Sequence, residues 1–192
     1  MIKICEHEIF VKNMSTLQET SKDAHNGEYM TTSQIKVINF DNVKDEYYKK
    51  LDIKDTPMSI DALYIREDEK IIFIEFKNGY INQTEQFNLK RKIYDSVLIF
   101  SGIVGMNLQT MRNKVDYVLV INENKNREEK EKMASYVQPS GTYNKGVNYV
   151  GKRANKKYSP YGLSKRFENF CFKNVDVFNK NDFEKYIDNC FI

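Results

Sequence analysis

The sequence is poor in the residues that small secreted and metal-ligating domains depend on. Its 192 residues include no tryptophan, three prolines, two histidines and three cysteines. Cys5, Cys171 and Cys190 are odd in number and far apart, which argues against a disulfide framework and against a zinc-binding CxxC pair. Because His7 and His25 are the only histidines, the sequence argues against a histidine-based catalytic triad.

Long apolar runs are also missing. No stretch approaches the roughly 18 apolar residues that a membrane helix needs. Charged residues interrupt the short apolar run at the N-terminus, which argues against a signal peptide. Hydrophobic residues make up 41% and charged residues 30% of the chain, an ordinary composition for a globular protein. We therefore expect a single cytoplasmic domain over residues 1–192 with no membrane contact.

Acidic residues are absent from one long window, residues 132–167. The window carries a charge of +8 in a chain whose net charge is +3, so the rest of the chain is at −5. It also holds four of the eight glycines, which predicts a loop-rich segment, and tyrosines are interleaved with its basic residues. Cations neutralise phosphates and aromatic rings stack on bases, so the window predicts a nucleic-acid-binding surface. The alternative is a solvated basic loop whose aromatic residues pack onto the core. The candidate contact residues are Lys145, Tyr149, Lys152, Arg153, Lys156, Lys157, Tyr158, Lys165 and Arg166.

The hydrophobic pattern predicts an α/β domain with a mixed central β-sheet flanked by helices. We expect strands over 34–40, 59–65, 71–76, 115–122 and 174–179. We expect helices over 12–25, 42–51, 82–100, 126–137 and 181–189, with Ser15 and Asn181 as N-caps.

One predicted core strand contains charged residues within an otherwise apolar stretch. Residues 71–79 read IIFIEFKNG, and a buried charge costs several kcal/mol unless it is paired. Side chains two apart in a strand share a face, so Glu75 and Lys77 point one way while Ile72, Ile74 and Phe76 point the other.

The hairpin that joins this strand to the preceding one predicts a partner for Glu75. A turn centred on Asp68 pairs Leu63 with Phe73 and places Asp61 opposite Glu75. Cross-strand neighbours have Cβ atoms about 4.5–5.5 Å apart, and two carboxylates that close repel each other without a cation between them. Hard oxygen ligands at this spacing suit Mg²⁺, Mn²⁺ or Ca²⁺. The alternatives are a half-buried salt bridge with Lys77, or a one-residue slip that turns Asp61 away.

Asp61 on one strand, followed by Glu75-Phe76-Lys77 on the next strand and then by a helix, resembles the motif of the PD-(D/E)XK, or restriction-endonuclease-like, nuclease superfamily. The resemblance covers roughly residues 40–122. The chain departs from the pattern because no proline immediately precedes Asp61. It also lacks the Gln-x-x-x-Tyr helix motif of some relatives, since Gln86 is followed four residues later by lysine.

The resemblance implies a restriction-endonuclease-like fold and a divalent-metal-dependent nuclease, with DNA favoured over RNA. It implies that Asp61, Glu75 and the backbone carbonyl of Phe76 hold Mg²⁺ or Mn²⁺, and that Lys77 orients water or stabilises charge. Some relatives carry an extra acid on an upstream helix. The candidates for it are Glu46 first, then Glu19 and Glu28. A homodimer is one candidate assembly.

Two other functions remain open at this stage. A catalytically inactive member of the fold could grip nucleic acid through its basic window. A regulatory interaction protein could carry the same charged residues in a purely structural role, with no affinity for metal or DNA.

Overall fold

A computed structural model describes residues 4–52, 54–55, 57–66, 70–128, 131 and 159–191. Its centre is one six-stranded mixed sheet, in which the strands follow one another in chain order. The first four strands pair antiparallel, and the last two continue the sheet in parallel. The strands are β1 (Met14–Thr16), β2 (Lys36–Asn39), β3 (Ala62–Ile65), β4 (Ile71–Lys77), β5 (Val115–Ile121) and β6 (Asn174–Asn179).

Helices cover both faces of this sheet, as the predicted α/β class requires. They are α1 (Glu8–Lys12), α2 (Leu17–Thr20), α3 (Phe40–Lys50), α4 (Gln83–Val104), α5 (Leu108–Lys114), α6 (Leu163–Phe167) and α7 (Lys180–Cys190). Short 3₁₀ turns lie at Ile4–Glu6 and Pro160–Gly162. Within the described residues, none of the helices has the length and apolar content that spanning a membrane requires.

Strand β4 separates two hydrophobic clusters, which confirms the period-two pattern. Ile71 and Phe73 face a cluster that includes residues of α3 and α4. Ile72 and Ile74 face a second cluster, which α7 covers. Glu75 follows Phe73 on the α4 side, so the charge is carried into the larger core.

Helix α4 is longer than the sequence predicts. Asn82 caps it by accepting a hydrogen bond from the Glu85 amide, and Gly105 ends it with a left-handed φ of 67°. The helix continues through Gly102, although glycine inside a helix costs about 1 kcal/mol relative to alanine. The Tyr47 ring of α3 packs directly where a Gly102 side chain would lie, so contact between the two helices explains the glycine.

The N-terminal helix predicted over 12–25 is wrong. The chain instead forms α1, then β1, then α2, because β1 pairs with β2 at the edge of the sheet. Thr16, not Ser15, caps α2, and Asn179, not Asn181, caps α7. Helix α5 was not predicted, and α6 replaces the end of the predicted loop. The predicted helix over 126–137 falls largely outside the described residues.

Candidate functional site

The predicted hairpin register is confirmed. Strand β3 pairs antiparallel with β4, with Leu63 opposite Phe73 and Ile65 opposite Ile71. Asp61 lies one residue before β3, and its side-chain Oδ2 accepts a hydrogen bond of 2.6 Å from the Phe76 amide. The carboxylate of Asp61 is therefore held against the segment of β4 that carries Glu75.

A lysine that the sequence analysis did not select joins these two acids. The Lys92 ammonium, from helix α4, lies 2.7 Å from Glu75 Oε1 and 3.3 Å from Asp61 Oδ1. Lys92 follows buried Leu89 by three residues and precedes buried Ser96 by four, so it belongs to the sheet-facing side of the helix. A lysine among the apolar residues on the sheet-facing side of α4 was the sequence feature that could have identified Lys92.

These three residues form a buried cluster with unequal charge. The Glu75 side chain is fully buried, while those of Asp61 and Lys92 are 17% and 20% exposed. Two carboxylates face one ammonium, so one negative charge lacks a counter-ion when all three groups are ionised. An additional proton or a cation would complete the balance.

Burial determines how these groups titrate. Loss of solvation raises the pKa of Glu75 to about 8; the negative charge of Asp61 adds to the rise and Lys92 opposes it. Loss of solvation also raises the pKa of Asp61. Burial disfavours the charged form of Lys92, but the two carboxylates outweigh it and hold the pKa above that of an ordinary lysine. Lys92 therefore stays an ammonium at neutral pH.

Lys77 shares the strand face of Glu75 but is engaged elsewhere. Its ammonium lies 2.6 Å from Glu85 Oε2, in the first turn of α4. Asn88 holds the other oxygen of Glu85 with a 3.2 Å hydrogen bond. Lys77 is close enough for its charge to lower the pKa of Glu75. Among the described contacts, however, the structure does not pair it with either acid of the cluster.

The candidates for an extra acid have other partners. Glu46 accepts hydrogen bonds from Asn13 and Lys50, at 3.1 and 2.8 Å. Glu28 accepts one from Asn78. No contact among the described residues joins Glu19, Glu28 or Glu46 to Asp61 or Glu75, so each stays a prediction without structural support.

Asp41 is an acid that the sequence analysis missed. It lies in the first turn of α3, immediately after β2, and the Ser59 hydroxyl donates a hydrogen bond to it. Its negative charge contributes to raising the pKa values of both Asp61 and Lys92. The sequence feature that could have identified Asp41 is its position just after the end of β2, the strand adjacent to β3.

The predicted basic surface is only partly visible. Lys165 and Arg166 lie in α6, whereas Lys145, Tyr149, Lys152, Arg153, Lys156, Lys157 and Tyr158 lie outside the described residues. The Arg166 guanidinium donates a 2.8 Å hydrogen bond to the Tyr94 hydroxyl and lies 5.5 Å from the centre of its ring. Tyr161 and Phe167 are buried in the core, as the alternative interpretation of the window expected. The C-terminal end of the window is thus anchored on α4, two residues from Lys92.

The donor set of the cluster fits a hard divalent cation. Asp61 Oδ1 and Glu75 Oε1 already converge on one cationic group, the Lys92 ammonium. Glu75 Oε2 is buried and has no hydrogen-bond partner, which leaves a carboxylate oxygen available as a ligand. In the described part of the chain, no group of three or more acidic, histidine or cysteine residues is placed to hold a metal. The ligands would therefore be two carboxylates completed by carbonyl or water oxygens.

Comparisons with protein-family models, with curated proteins and with solved structures find no match for this chain. The geometry and charge of the site are therefore the basis for a functional conclusion.

Proposed function

We propose that this protein is a divalent-metal-dependent nuclease of the restriction-endonuclease-like fold, acting on DNA in preference to RNA. The observation that carries the proposal is the buried pair of Asp61 and Glu75. Their carboxylates converge on one cationic group, and one oxygen of Glu75 remains without a partner. A core rarely retains two like charges at this spacing unless a cation joins them.

Asp61 and Glu75 would hold Mg²⁺ or Mn²⁺, with the Phe76 carbonyl as the predicted third ligand. When bound, such an ion supplies Lewis-acid catalysis and a more acidic water. The chain itself contributes rigid placement: the pairing of β4 with β5 fixes Glu75, and the Phe76 amide fixes Asp61 through a 2.6 Å hydrogen bond. The ammonium group of either Lys77 or Lys92 can stabilise the negative charge of a phosphodiester undergoing hydrolysis.

Charge distribution supports a nucleic acid as the substrate. The acid-free window carries +8, while the rest of the chain is at −5. Its C-terminal end, in α6, is anchored on α4 by Arg166, beside the turn of helix that supplies Lys92. The described end of the window thus contacts α4, the helix that also supplies Lys92.

Incubation of the purified protein with single-stranded and duplex DNA and RNA, in Mg²⁺, Mn²⁺ or EDTA, tests the proposal. We expect cleavage with either metal and none in EDTA. Asp61→Asn and Glu75→Gln should abolish cleavage and Mn²⁺ binding while the protein stays folded. A matched control is Asp116→Asn, which changes a buried carboxylate of β5 that pairs with Lys70 and Asn174. Cleavage by both site variants at the wild-type rate would contradict the assignment.

One observation favours a second function, a non-catalytic interaction protein. Lys92 already bridges the two acids, as a structural ion pair would. That function predicts no heat of Mn²⁺ binding to the wild-type protein and no cleavage under any of these conditions. Binding of DNA without cleavage would identify the inactive nucleic-acid-binding form of the fold.

A further inference from the structure

We propose that Lys92, rather than Lys77, is the functional lysine of this site. Its ammonium occupies the cation position between Asp61 and Glu75, a divalent metal displaces it, and the displaced ammonium then contacts the substrate phosphate. The inference rests on the proposed nuclease function. It concerns which lysine acts and in which order the two cations use the carboxylates.

The contacts of the two lysines distinguish them. Lys92 lies 2.7 and 3.3 Å from one oxygen of each acid, and the same two carboxylates are the candidate metal ligands. Lys77 lies 2.6 Å from Glu85, outside the acid pair. Asn88 fixes Glu85 in turn, so the Lys77 ammonium has a dedicated partner that a metal at Asp61 and Glu75 does not remove.

This geometry implies that the Lys92 ammonium and a divalent cation compete for the same carboxylate oxygens. An ammonium and a divalent cation cannot share one position between two carboxylates, because like charges repel and both need the same oxygens. Lysine carries its charge on a flexible four-carbon stem, so Lys92 can leave the acids without movement of helix α4. Its side chain is one-fifth exposed, so the residue is not sealed inside the core.

A new partner is available to the displaced ammonium. Once a divalent cation neutralises Asp61 and Glu75, the substrate phosphate offers the displaced ammonium a negative charge in addition to that of Asp41, which already acts on Lys92. In hydrolysis the oxygen of water bonds to phosphorus, the bond from phosphorus to the leaving oxygen breaks, and the proton lost by water balances the proton gained by the leaving group. The ammonium contributes electrostatic stabilisation to this step and needs no net proton transfer of its own.

Titration calorimetry with Mn²⁺ alone, in the absence of nucleic acid, tests the competition. We expect Lys92→Met to bind Mn²⁺ about tenfold or more tightly than the wild type, because the competing ammonium is gone. Lys77→Met is the matched control for the loss of a nearby positive charge, and its gain in affinity should be much smaller than that of Lys92→Met. Unchanged or weaker affinity in Lys92→Met, while the wild type binds Mn²⁺, would overturn the inference and leave the proposed function standing.

Cleavage assays test the second half of the inference. Lys92→Met should lose cleavage in spite of its tighter metal binding, and its loss should exceed that of Lys77→Met. The reverse pattern would assign the role to Lys77. A wild-type protein that neither binds Mn²⁺ nor cleaves any substrate would instead refute the proposed function itself.

If Lys92→Met is too unstable for calorimetry, thermal unfolding with and without Mn²⁺ still tests the competition. Without metal the variant leaves two buried carboxylates unpaired, so its Tm in EDTA should fall below that of the wild type. Added Mn²⁺ should raise the Tm of the variant by more than it raises that of the wild type. Lys92→Arg, which preserves the charge, should show no gain in metal affinity. An equal Mn²⁺-induced rise in wild type and Lys92→Met would contradict displacement.

Discussion

At the scale of single residues, Glu75 carries a buried charge that is only partly compensated. Its side chain is fully buried, one oxygen is held by Lys92 and the other has no partner. The buried charge has a consequence for stability that does not depend on any bound metal. A buried glutamate that prefers its proton stabilises the folded protein only at a pH where the proton is retained.

We predict that the free energy of unfolding of the metal-free protein falls as the pH rises from about 5 to about 8. The pKa of Glu75 is raised from 4.5 to about 8 in the folded protein, chiefly by burial. Between those values the folded state holds a proton that the unfolded state releases, so stability is greatest below the unfolded pKa and declines toward the folded one. One such group contributes a slope of at most about 1.4 kcal/mol per pH unit.

Urea denaturation in EDTA across this pH range measures the effect. Glu75→Gln should flatten the decline, because glutamine has no proton to lose. Glu46→Gln is the contrasting control, since hydrogen bonds from Lys50 and Asn13 lower the pKa of Glu46 and its titration lies below this range. Parallel pH profiles for wild type and Glu75→Gln would refute the prediction.

At the scale of elements, helix α4 assembles the site. It supplies Lys92, and its next turn holds the segment that leads into β3. The Ser96 hydroxyl accepts a 2.9 Å hydrogen bond from the Ile60 amide, and Asp95 accepts one of 2.9 Å from the Met58 amide. Both contacts lie within three residues of Asp61, so the helix fixes the backbone that presents this carboxylate.

We predict that Ser96→Ala lowers the free energy of unfolding by about 1–3 kcal/mol, because it leaves the buried Ile60 amide without an acceptor. Mn²⁺ affinity should fall as well, since Asp61 follows Ile60 directly and loses part of its support. Denaturant unfolding and calorimetry measure the two effects.

Ser101→Ala on the same helix is the control for the serine substitution. The Ser101 hydroxyl donates a hydrogen bond to the Met106 carbonyl, which is partly buried and lies beyond the end of α4. Ser101→Ala should therefore lower the free energy of unfolding by less than Ser96→Ala does, and it should leave Mn²⁺ affinity unchanged. Equal effects of the two substitutions on metal affinity would show that α4 does not position Asp61.

At the scale of the whole molecule, charge is segregated along the chain. The acid-free window holds +8 against −5 elsewhere, and its described end packs on α4 through Arg166 and Phe167. Arg166 already donates a hydrogen bond to Tyr94 and contacts its ring. The remaining basic residues of the window are therefore the stronger candidates for phosphate contacts.

We predict that neutralising the centre of the window weakens DNA binding and reduces its dependence on salt. Each phosphate contact contributes about 0.9 to the slope of log affinity against log salt for a duplex and about 0.7 for a single strand. The first variant replaces four residues with alanine: Lys152, Arg153, Lys156 and Lys157. The control variant replaces three lysines that lie among acidic residues: Lys49, Lys50 and Lys54.

Fluorescence anisotropy at several salt concentrations, with Ca²⁺ in place of Mg²⁺ to limit cleavage, measures both quantities. The first variant should show a lower affinity and a flatter slope, and the control a smaller change in each. An unchanged affinity and slope in the first variant would place the phosphate contacts elsewhere.

The hairpin and the proximity of Asp61 to Glu75 were predictable from the amino-acid pattern alone. Both depend on local rules: side chains alternate along a strand, and a short turn sets the register of the strands that it joins. The last strand, Asn174–Asn179, and the start of α4 next to Asn82 follow from equally local signals. These features were confirmed because few other arrangements satisfy the same pattern.

Which lysine contacts the acids depends on the packing of α4 against the sheet and could not be predicted from local sequence. Lys77 has the expected position on β4, but Glu85 of α4 captures it, and Lys92 reaches the acids from the next turns of the same helix. The edge strand β1 and the passage of α4 through Gly102 likewise depend on distant partners, β2 and Tyr47. Helical periodicity indicates which side of α4 faces the sheet, but not which residue of β4 lies beneath each turn. That alignment is set by the packing of the whole helix, which local sequence does not encode.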